Sequence, residues 1–73
     1  MEKYQNKGGT SSVKSFDIGF DYIIIRFKDS YKSYTYSYLG AGMYHVEKMK
    51  VLARSGIGLG SYIKTHVSSK YDR

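Results

Sequence analysis

Two histidines, His45 and His66, and no cysteine are all the strong transition-metal ligands this 73-residue chain carries. A disulfide framework, a cysteine-based zinc site and an iron–sulfur cluster are therefore excluded, and a folding metal lacks its ligand set. His45-Val46-Glu47 has the His-x-Glu spacing of the zinc deaminases, but the cysteines that complete such a site are missing. Ser, His and Asp all occur, yet no serine sits in a nucleophile elbow, and one small module offers little to screen a hydrolytic site from water. Gly56-Ile57-Gly58-Leu59-Gly60 places one residue before its third glycine where a dinucleotide fingerprint needs two, and no Gly-Lys-Ser or Gly-Lys-Thr follows. Either a nest of backbone amides or a plain tight turn between helices remains. The residue types thus name no catalytic group, no metal and no cofactor, and the expectation is a protein that is not an enzyme.

What is left is charge and aromatic surface. Twelve Lys plus Arg against six Asp plus Glu give a formal charge of +6, a field that favours polyanions or an acidic partner. The candidate nucleic-acid-binding residues are Arg26, Lys28, Lys32, Lys48, Lys50 and Arg54, with Lys64 able to project from a neighbouring segment. Contacts from such side chains to phosphates position a nucleic acid without reading its sequence. Nine tyrosines add a second theme, because Tyr34, Tyr36 and Tyr38 alternate on one face of one strand. Those rings either pair with Ile23, Ile25 and Phe27 in the core or form an open platform on which unstacked bases lie. So short a chain needs that area inside, which weighs for the core.

The elements that must position these groups follow from periodicity. Residues 1–12 are polar apart from Met1 and Tyr4 and read as a flexible arm. Residues 13–73 read as one domain. Val13, Phe16, Ile18 and Phe20 interleave with polar residues in a first strand, and a tight turn begins near Asp21. Tyr22 to Lys28 alternates cleanly, with Ile23, Ile25 and Phe27 on one face, and Tyr34 to Tyr38 supplies its hairpin partner. Met43, Val46, Met49, Leu52 and Ala53 then recur at three- and four-residue intervals, predicting an amphipathic helix that stops at Ser55-Gly56 with a left-handed cap. Leu59, Ile63, Val67 and Tyr71 lie four apart while Ile63, Thr65 and Val67 alternate, so helix and strand stay open there, with helix favoured. The expected fold class is α+β: a three-stranded antiparallel meander followed by two helices packed on one face.

The order of features resembles the KTSC domain, a small module found alone in bacterial and phage-type proteins and at the C-terminus of some lysyl-tRNA synthetases. The central Tyr-x-Tyr falls on Tyr34-Thr35-Tyr36, the later tyrosine on Tyr44, and the Ser-Gly…Ile pattern on Ser55, Gly56 and Ile63. The match runs from about Ser12 to Tyr71. The family's proline after the tyrosine strand and its aromatic–Asn pair are absent, Gly40-Ala41-Gly42 and Leu59-Gly60 standing in their places. The resemblance implies a binding module without chemistry, with RNA as the expected ligand. The alternative is a protein-interaction or self-association module of bacterial or phage origin, which the open edges of a small sheet permit. The longest aliphatic run, Ile23-Ile24-Ile25, is far short of a membrane span, and the first residues are polar, so a cytoplasmic protein without membrane contact is expected.

Overall fold

A computed structural model describes residues 1–9 and 11–72; Thr10, within the expected arm, and Arg73 lie outside the described residues. Four strands form one antiparallel sheet in the order β1-β2-β3-β4: β1 Glu2–Lys3, β2 Val13–Ile18, β3 Tyr22–Phe27 and β4 Ser33–Ser37. The α+β class is as expected, but the sheet has four strands instead of three. The added strand comes from the segment read as a detached arm, where Glu2 pairs with Phe16 and Lys3 with Ser15.

Tyr4 explains why that segment joins the fold. Its ring is buried at 2 % exposure, and its hydroxyl accepts the Leu59 backbone N–H at 3.2 Å. Lys7 N–H then donates to Gly56 O at 2.7 Å, so the chain start straps across the turn between the helices. Asn6 closes the return towards β2 by exchanging side-chain hydrogen bonds with the backbone of Ser11.

The register sets the two faces of the sheet. Ile23 lies opposite Tyr36 and Ile25 opposite both Phe16 and Tyr34, so these residues share one face. Helix α1, Met43–Ser55, covers that face with Val46, Met49 and Ala53. The alternation of β3 and the three-four spacing of α1 thus meet in one core, the burial that stabilises a chain of this size. Tyr36 is 2 % exposed, and the rings of Tyr34 and Tyr71 meet edge-on at 4.9 Å beside it. Tyr36 is therefore core, with Tyr34 and Tyr38 partly buried against it. Burial, with Tyr34 and Tyr71 nearby, pushes the Tyr36 phenol up to about 12.

Helix α1 ends where the Ser-Gly predicts. Gly56 adopts φ 80 and returns its N–H to Leu52 O, while Ser55 Oγ donates to the same carbonyl at 2.9 Å. The apolar segment beyond is helical: α2 spans Leu59–Tyr62 and runs directly into a π-helical turn, Ile63–Val67. Leu59, Ile63 and Val67 complete the core. Two amides of the glycine turn are spent internally, Gly56 on Leu52 O and Leu59 on the Tyr4 hydroxyl, and the turn joins the two helical segments.

Candidate polyanion-binding surface

The face of the sheet turned away from α1 carries the even-numbered residues of β3, and there the pairing aligns a row across all four strands. Lys3 lies opposite Ser15, Ser15 opposite Arg26 and Arg26 opposite Ser33. Neighbouring strands lie about 4.8 Å apart, so the Lys3 and Arg26 backbones are separated by about 10 Å, close to the Debye length at 0.1 M salt. A shift of register between Val13 and Ser15 puts the exposed Lys14 at the same end of the sheet. Lys28 follows β3 directly, tied beside Ser12 by its N–H to Ser12 O at 2.8 Å. Lys32 stands exposed in the β3–β4 turn, its N–H held by Ser30 Oγ at 3.1 Å.

None of these five cations has an ion-pair partner; among the described residues the ion pair is Lys50 with Glu47. Asp17, opposite Ile24, is the carboxylate on the same face, one row further along, and Asp29 adjoins Lys28 in sequence. Arg26 is half-buried, and its Nε is enclosed without a hydrogen-bond partner. A buried donor left unmet carries a desolvation cost. Ser15, Ser33 and Thr35 line the face with hydroxyls.

The six residues expected to form one surface therefore divide. Arg26, Lys28 and Lys32 gather at one end of the sheet. Lys48 and Arg54 are exposed on α1, which packs on the opposite face, so they are not part of that gathering. Lys50 is corrected outright: it is 7 % exposed and donates to Glu47 Oε2 at 2.7 Å and Phe20 O at 2.8 Å. It fastens α1 to the β2–β3 turn with its ammonium 5.6 Å from the Tyr38 ring centroid. Tyr38 Oη donates to the same Glu47 oxygen at 2.5 Å. The hydrogen bond from Lys50, then that from Tyr38, holds the Glu47 carboxyl below its ordinary range, and bonding to Glu47 raises the Tyr38 phenol.

Lys3 and Lys14 are the members that sequence reasoning missed. Lys14 had a signal, since it stands between the buried Val13 and Phe16; Lys3 had none, because its place follows from the pairing of a two-residue strand. Of the motif residues, Tyr34, Tyr36 and Ile63 pack in or against the core and Ser55 and Gly56 end α1, whereas Tyr44 is 74 % exposed.

Fold and surface together define a small α+β module with an uncovered basic sheet face. No family model, curated protein or solved structure matches the chain. Among the described residues, no helix is long and apolar enough to cross a membrane.

Proposed function

We propose that this chain is a small, non-catalytic, KTSC-like module that binds RNA or another polyanion in the cytoplasm. Its binding surface is the uncovered sheet face, with Lys3, Lys14, Arg26, Lys28 and Lys32 meeting phosphates. What supports this is the gathering of five cations without ion-pair partners at one end of a face lined by hydroxyls. The contacts are to backbone phosphates, so affinity falls with salt and depends little on sequence. Five phosphate contacts to a single strand correspond to a log–log salt slope of about −3.5, at about −0.7 per contact. Titrating a fluorescent single-stranded RNA at several salt concentrations tests it; failure to bind at low salt contradicts it.

A second reading, a protein-interaction or self-association module, rests on a different observation. Phe20 is 90 %, Leu39 98 % and Met43 61 % exposed. The turns bearing the first two are joined by Tyr38 N–H to Asp21 O at 2.9 Å. Sheet-edge pairing is less open at β4, where Asp72 N–H already donates to Thr35 O. Sedimentation across a concentration series, with Phe20→Ser/Leu39→Ser as the comparison, decides whether those side chains hold copies together.

A further inference from the structure

Between the turn that joins β3 to β4 and the chain that leaves the π-helical turn lies a cleft of about 480 Å3. Small-ligand sites span about 300–1,000 Å3, so it is large enough to hold one. Phe27 continues the core-facing row of Ile23 and Ile25, and Tyr34 faces Ile25 across the hairpin, so both rings reach this side of the sheet. Tyr71 joins them, and all three rings are only partly buried. Phe27 meets Tyr34 at 5.6 Å and 66°, and Tyr34 meets Tyr71 at 4.9 Å and 75°. Rings so nearly perpendicular form a corner, in which a flat group laid on one ring meets the edge of the next. Tyr36 and Ile63, both buried, close the bottom.

The polar groups around this corner are few. Asp29 contributes a carboxylate, and Ser12 and Ser68 contribute hydroxyls; among the described residues none of these three side chains has a hydrogen-bond partner. Aromatic walls beside a carboxylate suit either an ammonium ion or a flat ring that carries N–H donors. Lys28 and Lys32 decide between the two. Both are exposed in the turn that supplies Asp29, and neither has an ion-pair partner. Their charges repel an incoming cation and attract the phosphates that flank a nucleobase.

The carboxylate also selects among bases. It accepts hydrogen bonds and donates none. Guanine turns two adjacent donors, N1–H and its N2 amino group, along one edge, whereas adenine, cytosine and uracil each set an acceptor beside their donor there. Resting on the reading of the sheet face as an RNA surface, we propose that this cleft receives one unstacked guanine base. Its ring lies against Phe27, Tyr34 and Tyr71, its N1–H and N2–H donate to Asp29, and the neighbouring phosphates lie on Lys28 and Lys32. Phosphate contacts read no sequence, so the cleft adds a preference at a single nucleotide.

Titrating the full chain with three short single-stranded RNAs, all uridine or with one central guanosine or adenosine, tests the site. The guanosine strand is expected to bind about tenfold more tightly than the other two at the same salt concentration. Ring-proton resonances of Phe27 and Tyr34 are expected to shift along the same binding curve. Asp29→Asn, at an exposed turn position, is expected to erase the preference while affinity for the all-uridine strand stays at or above wild type, because a negative charge beside the phosphates is gone. Unchanged far-ultraviolet dichroism shows that the variant is folded. Equal affinity for the three strands, unmoved Phe27 and Tyr34 resonances, or a guanosine preference that persists in folded Asp29→Asn would each overturn the guanine site and leave the phosphate surface standing. If no strand binds at low salt, the RNA reading falls and the guanine site falls with it.

Discussion

Replacing Tyr4 by Ala is expected to remove a large share of the stability of the whole domain, although the residue lies four positions from the chain start. Its side chain is 2 % exposed, and truncating a buried aromatic to Ala costs about 3–5 kcal/mol. A chain of this length has about 4–11 kcal/mol in all, so the variant sits at or near the threshold of folding. Tyr4→Phe isolates the hydroxyl. It keeps the ring but leaves the Leu59 N–H without the acceptor now 3.2 Å away, at a cost of about 1–3 kcal/mol. Each kcal/mol corresponds to a melting shift of about 4–8 °C in a domain of this size, within reach of a thermal melt. Urea denaturation followed by far-ultraviolet dichroism gives both midpoint and slope. If deleting residues 1–5 leaves both unchanged, the segment is a free arm after all and the four-stranded sheet is refuted.

Other consequences are as direct. Tyr36→Ala is expected to lose about 3–5 kcal/mol in the same urea assay, because its ring is enclosed by Ile23, Tyr34 and Tyr71; wild-type stability would contradict the core assignment. Gly56→Ala forces a Cβ into left-handed backbone and to 2.8 Å from Gln5 Cβ, for an expected loss of about 1–2 kcal/mol against Gly9→Ala, which meets nothing, as the comparison for backbone cost alone. Glu47 titrates below its unfolded value, so its contribution is complete above the ordinary carboxylate range and disappears as pH falls through the folded value. The melting difference between wild type and Glu47→Gln should therefore shrink below about pH 4. Tyr36 titrates at about 12, above its unfolded value, so its contribution is complete below about pH 10 and is lost as pH rises towards 12; Tyr36→Phe should lack that alkaline loss.

The parts of the fold legible in sequence are those carried by local periodicity. Ile23, Ile25 and Phe27 alternate because β3 is covered on one side, and Val46, Met49 and Ala53 keep helical spacing because α1 covers it. Gly56 was legible since few other residues take φ 80 at a helix end without strain. Tyr4 was not, because one aromatic among polar neighbours has no period and its reason lies at Leu59, 55 residues away. Lys50 was half-legible: it stands four residues after Val46 and three before Ala53, on the buried arc, but its charge argues for solvent until Glu47 and the Phe20 carbonyl are seen to satisfy it. The basic surface shows the same divide. Composition gives the excess of cations, while the grouping of Lys3, Lys14 and Arg26 depends on strand register, which no local pattern encodes.

The proposed function is tested most directly by comparing two charge-removal variants on one single-stranded RNA across a salt series. Converting Lys3, Lys14, Arg26 and Lys28 to Gln should flatten the log–log salt slope by about 2.8, at about 0.7 per contact, and abolish binding at physiological salt. Converting Lys48 and Arg54, on the other side of the molecule, should leave slope and affinity near wild type. Equal losses in both variants, or an unchanged slope in the first, would contradict the sheet face as the site.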